Sequence, residues 1–85
     1  MMLKLIDAAE GTKQYECDDL RFPVPGDGTF GEGLYGIRNG HERAMFALGT
    51  GVLTAAMNGE NVVSLDIKEG FLSFDSDVAT LINIR

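Results

Sequence analysis

Val52-Leu53-Thr54-Ala55-Ala56-Met57-Asn58-Gly59-Glu60-Asn61-Val62-Val63-Ser64-Leu65-Asp66-Ile67 is the stretch that decides the fold. Asn58-Gly59 is the strongest short hairpin signal in the chain. A type I′ turn needs positive φ at both central residues, and Asn and Gly tolerate that best. On the return limb Val63, Leu65 and Ile67 alternate with Ser64, Asp66 and Lys68, so one face is apolar and the other polar. That period of two belongs to a half-buried strand.

The same period runs outward in both directions. Toward the N-terminus, Gly49-Thr50-Gly51 is a turn, and Ala44, Phe46 and Leu48 share a face before it. Leu3 and Leu5 flank Lys4, and Asp7 to Thr12 is a polar turn. Tyr15 and Cys17 alternate with Gln14 and Glu16, whereas Leu20 and Phe22 alternate with Asp19 and Arg21. Joining those two patterns needs a one-residue phase slip at Asp18-Asp19, which predicts a β-bulge. Pro23 and Pro25 are expected to end that strand, since neither can donate to a ladder. From Gly26 to Gly33 four of the eight residues are glycine and no period survives, so this segment reads as a loop.

Toward the C-terminus, Gly70 marks a turn, Phe71 to Phe74 a short strand, and Asp75-Ser76-Asp77 a polar turn. Val78 to Ile84 closes the chain, with Val78, Thr80, Ile82 and Ile84 on one face. The best helical candidate is a turn around Glu42 to Leu48. Many short strands at this turn spacing predict an all-β fold, an antiparallel β-sandwich of about ten short strands forming a single domain over residues 1–85.

Composition narrows the function. The chain has 85 residues, 45% of them apolar and 24% charged, an ordinary globular balance. A domain of this size buries only about 60% of its unfolded surface, so the core is thin and partners can add stability. Thirteen acidic against seven basic residues give a net charge of −6. Nucleic acid binding leans on Lys and Arg at phosphates, and an anionic membrane surface repels an acidic chain. Neither is expected as a partner, nor is direct lipid insertion. One cysteine excludes an internal disulfide and fits a reducing compartment. The start, Met1 to Ile6, gives way to Asp7 and does not read as a signal peptide. The chain reads as soluble and cytoplasmic.

No constellation for catalysis stands out. Cys17 and His41 are single residues of their kinds, and Cys17 alternates in phase with Tyr15, which places it in the core. Asp75 and Asp77 lack the calcium-loop pattern and read as turn chemistry. The glycine-rich loop lacks a Gly-Lys-Ser/Thr step and carries Asp27 and Glu32, which repel phosphate. The expectation is a non-enzyme with no catalytic residue, no cofactor and no metal. A long loop of this kind on a small sandwich points to binding.

One string carries the reading further. Gly33-Leu34-Tyr35-Gly36-Ile37-Arg38-Asn39-Gly40-His41 resembles the Gly-acidic-aromatic-Gly-Ile-x-Pro-Gly-His segment of the epsilon subunit of F-type ATP synthase. Gly51-Val52-Leu53, Gly70-Phe71-Leu72 and Val78-Ala79-Thr80-Leu81-Ile82 follow in the order and spacing of that family's later segments. The opening, Leu3 to Leu20, is similar to its first hairpin. The resemblance covers nearly the whole chain. It departs where Asn39 and Arg43 replace two prolines and Leu34 an acidic residue. The sequence also has no counterpart of the family's two-helix C-terminal domain.

The resemblance implies the ten-stranded N-terminal sandwich of that subunit, a rotor element of the central stalk. It would link the gamma subunit to the polar loops of the membrane ring of c subunits and couple proton flow to ATP synthesis. Its place would be the cytoplasmic side of the bacterial plasma membrane, in a peripheral complex. Glu32, Leu34, Tyr35 and Arg38 would meet the ring, and Gly40, His41 and Glu42 the gamma subunit or the ring edge. The alternative is a free-standing acidic sandwich that binds another protein or a small ligand.

Overall fold

The computed structural model describes residues 1–7, 11–25 and 33–83. Among them are nine strands and no helix: β1 (Met2–Asp7), β2 (Gly11–Glu16), β3 (Asp19–Val24), β4 (Gly33–Arg38), β5 (Ala44–Leu48), β6 (Gly51–Met57), β7 (Glu60–Ile67), β8 (Gly70–Asp75) and β9 (Val78–Asn83). They form two sheets, ordered β2-β1-β9-β8-β5 and β4-β3-β6-β7. The all-β sandwich expected from the alternation is what the chain forms. One pairing is parallel, β1 beside β9 in the register Leu3↔Ala79 and Leu5↔Leu81. It brings the two ends of the described chain side by side.

The deciding hairpin forms as read, with Asn58 at φ 54° and Gly59 at φ 84°. The β8–β9 hairpin makes the same two-residue turn with less suitable residues, Ser76 at φ 50° and Asp77 at φ 63°. A left-handed backbone costs most L-residues about 1–2 kcal/mol, and less for Asn. Ser76→Asn is therefore expected to raise stability by about 0.5–1 kcal/mol, read as a higher urea midpoint at unchanged slope.

Four local expectations are corrected. There is no bulge at Asp18-Asp19. Cys17 N–H donates to the Met1 carbonyl at 3.0 Å, in one sheet, while Asp18 N–H donates to the Ala56 carbonyl at 2.9 Å, in the other. The phase slip marks the point where the chain changes sheets, and both flanking patterns still face the common core. The bulge lies elsewhere, at Ala55/Ala56, where Val62 has no partner in the register.

Pro23 does not end its strand. It pairs with Leu34 inside β3, beyond Arg21, where the β6 pairing stops. Its carbonyl accepts the Gly49 N–H at 3.0 Å, on the side away from β4. A strand residue's N and carbonyl point the same way, so the missing donor deprives β4 of nothing. The close approach explains the flanking glycines: a Cβ on Gly51 would lie 2.8 Å from Pro23 Cβ. The turn suggested around Glu42 to Leu48 is extended, as strand β5. Gly33, read as the end of the glycine-rich loop, opens strand β4, and positions 26–32 of that loop lie outside the described residues.

The core lies between the sheets. Leu3, Leu5, Leu72, Phe74, Ala79 and Leu81 enter from one, and Leu20, Phe22, Ile37, Leu53, Ala55 and Ile67 from the other. Cys17 fills the corner. Among the described residues no polar or charged side chain is buried in it. On the last strand Val78, Thr80 and Ile82 share a face as read, and it is the outer one. Ala79 and Leu81 point in, while Val78 and Ile82 are 36% and 46% exposed. Ile84 lies outside the described residues.

Candidate protein-interaction surfaces

Strand alternation divides the residues expected to touch partners. On β4, Leu34 is 71% exposed and Arg38 is exposed, both on the outer face, while Ile37 is buried and faces Leu20. Tyr35 shares the inner side with Ile37 but sits at the rim. Its ring centroid lies 4.9 Å from Phe46 and 5.7 Å from Phe22. Past the strand, Gly40 turns the chain at φ +82° and donates its N–H to Asp77 Oδ1 at 3.2 Å. His41 follows, its N–H on the Arg38 carbonyl and Nδ1 2.7 Å from the Glu42 carbonyl. The imidazole meets Phe74 edge-on at 5.7 Å and Tyr35 at 6.4 Å.

Tyr35 and His41 thus come together in an aromatic seal over the open edge between β4 and β5. Leu34 and Arg38 belong to the other side of β4. Glu42 is exposed, and Glu32 lies outside the described residues. The two aspartates of the last turn have structural work: Asp77 holds Gly40, and Asp75 Oδ2 lies 3.9 Å from Arg43 Nε.

The two outer faces differ. Across the four-stranded sheet the register sets Arg38, Asp19 and Ala56 side by side, then Gly36, Arg21 and Thr54. Arg21 and Asp19 pair at 3.4 Å. The next row on this face is apolar, with Leu34 beside Pro23 and Val52 of β6 44% exposed, so charged and apolar rows share it. Across the five-stranded sheet Ile6 lies beside Ile82, Ile82 beside Phe71 and Phe71 beside Ala47. Ile6, Ile82 and Phe71 are 39–46% exposed, and Met45, 75% exposed, stands in the next row beside Ser73, Thr80 and Lys4. An apolar band crossing four strands on an exterior face marks a site for another macromolecule.

Sequence reasoning missed this band, although a signal was present. Residues 78–82 are apolar at Val78, Ala79, Leu81 and Ile82, on both faces of one strand. A sandwich strand needs only one apolar face, so the second implies a further cover.

Cys17 is sealed in the core, as its phase indicated. Burial pushes its thiol up, and the carboxylates of Asp18, Asp19 and Glu16 push the same way against the opposing Met1 ammonium. The consequence is a pH slope. Above an ordinary thiol pKa of about 8.5 the unfolded chain loses its proton first, so the folded state holds more protons and stability falls as pH rises. Unfolding in urea from neutral to alkaline pH should show that decline in the native chain and a shallower one in Cys17→Ala.

Among the described residues no group of three or more His, Cys, Asp or Glu side chains is placed to hold a metal ion. None of their helices is long and apolar enough to cross a membrane. No family model matches the sequence, and no curated protein matches it significantly. The likeness to the epsilon subunit rests on the order and spacing of its segments.

Proposed function

We propose that this chain is a non-catalytic docking module, the sandwich of an epsilon-type stalk subunit. Its five-stranded face would seat on the gamma subunit and its β4 end would face the polar loops of the rotor ring. The apolar band through Ile6, Ile82 and Phe71 carries the reading, because it offers a stripe to a partner and brings no reactive group with it. The resemblance of the segment order to the epsilon subunit is what supports gamma as the partner. A close-packed sandwich suits the task, since a stalk must transmit torque without deforming, and packed interiors resist compression. In that assembly the chain would sit at the cytoplasmic side of the membrane through its partners.

Tyr35 and His41, locked by neighbouring rings, would present a stiff rim, and Leu34 and Arg38 the adjoining outer surface. The small-ligand alternative gains little support. Small-molecule sites are concave, mostly apolar and roughly 300–1,000 Å³ in volume. The hollows of that size, about 350–430 Å³ beside Asp19 and Arg38 or beside Arg43 and Met45, are open to solvent and hold charged side chains. The apolar hollow between β2 and β7, lined by Leu5, Tyr15, Leu65 and Leu81, measures about 90 Å³. Copurification with the gamma subunit of the same source tests the proposal directly. A stable complex at micromolar concentration supports it, and a chain that elutes alone at every ratio overturns it.

A further inference from the structure

Four strands end the two sheets, and three are guarded against strand addition. β2 carries Lys13 and Glu16. β7 is kinked by the register shift opposite Ala55/Ala56 and bears Glu60 and Asp66. β4 is broken up by Gly33 and Gly36 and closes on Arg38. Charges, bulges and interruptions are the usual means of keeping an edge from pairing with another chain. β5 has none of them. Its five residues, Ala44-Met45-Phe46-Ala47-Leu48, are uncharged, without glycine or proline, and pair with β8 in unbroken register. Among the described residues the sheet order places no strand on its other side, and the β3 carbonyl of Pro23 reaches only Gly49, just past its end. Every second residue there turns its N–H and carbonyl outward.

We infer that β5 pairs with β5 of a second copy of this chain, antiparallel about a two-fold axis through Phe46, joining two five-stranded sheets into one. The sequence of the strand is self-complementary in that register. Ala44 falls opposite Leu48 of the second copy and Met45 opposite Ala47, so a small side chain meets a large one at each off-axis position, and Phe46 meets Phe46. The 75%-exposed Met45 gains cover from the other copy's Ala47. The apolar row Ile6–Ile82–Phe71–Ala47 then runs on to the second Met45. An isologous contact of this kind closes as a dimer and does not propagate.

A five-residue ladder is small, and interfaces well below about 1,000 Å² hold weakly, so the dissociation constant is expected on the order of 100 µM. Two chains of net charge −6 repel each other. Added salt should therefore strengthen the dimer. This inference stands apart from the stalk proposal, because it concerns the free chain and needs no gamma subunit.

Sedimentation of the whole chain from about 10 µM to about 1 mM, in low and high salt, tests it across the expected constant. The expected result is a concentration-dependent shift from monomer to dimer, larger at high salt. Ala47→Lys, on an exposed outer position, should weaken association by at least about tenfold, since an edge lysine blocks pairing. Ile6→Lys, on β1 and three strands away, should leave it unchanged. Amide exchange in β5 should slow as concentration rises. A chain that stays monomeric at the highest concentration overturns the inference. So does a dimer that survives Ala47→Lys, or one lost in Ile6→Lys, which would move the contact to the sheet face.

Discussion

Lysine at both Phe71 and Ile82 is expected to weaken capture of the gamma subunit by about 100-fold, with the fold intact. The two side chains are register neighbours at the centre of the apolar band, each 46% exposed and pointing away from the core. Central apolar anchors carry most of the energy of an interface, and losing two at about 1–2 kcal/mol each gives that factor. Both lie on the outer face, where substitution shifts stability by about 0.5 kcal/mol or less. Titration calorimetry or surface capture reads the affinity, and urea unfolding checks the fold. Wild-type affinity in the double variant would remove the five-stranded face from the proposed contact and leave the β4 rim to account for it.

Phe22→Ala is expected to cost about 3–5 kcal/mol, the range for deleting a buried aromatic side chain. Phe22 is fully buried and its ring lies 5.0 Å from Phe46 and 5.7 Å from Tyr35. Its removal therefore opens the core and unseats the aromatic seal at the β4–β5 edge together. Small domains hold about 5–15 kcal/mol in total, so the variant should unfold at a far lower urea midpoint. Leu34→Ala, at 71% exposure on the same pair of strands, should stay within about 0.5 kcal/mol of the native chain. A loss below about 1 kcal/mol for Phe22→Ala would contradict its place at the centre of the core.

These expectations differ in how they could have been reached. Phe22 and Leu20 are core residues by alternation alone, as are Leu3, Leu5 and Ile67, and each is buried where its phase put it. The Asn58-Gly59 turn follows from backbone sterics at two residues, so it too is local information. Phe71 and Ile82 are different. Ile82 shares a face with Val78 and Thr80 in the sequence, yet nothing local says whether that face looks in or out. The parallel pairing of β9 with β1 decides it: Leu81 lies beside Leu5 and Ile82 beside Ile6, and the first pair faces the core.

The sequence by itself determined the class of fold, the inward set of most strands and the main hairpin, because alternation and turn sterics act between near neighbours. Tertiary structure decided the rest. It turned an apparent bulge at Asp18 into a change of sheet and let β3 run through Pro23. It also joined Tyr35 to His41, exposed Ile82 and left β5 as an edge. Each of these depends on which strand lies beside which, and pairing between distant segments is settled by closing a common core, to which no local pattern has access.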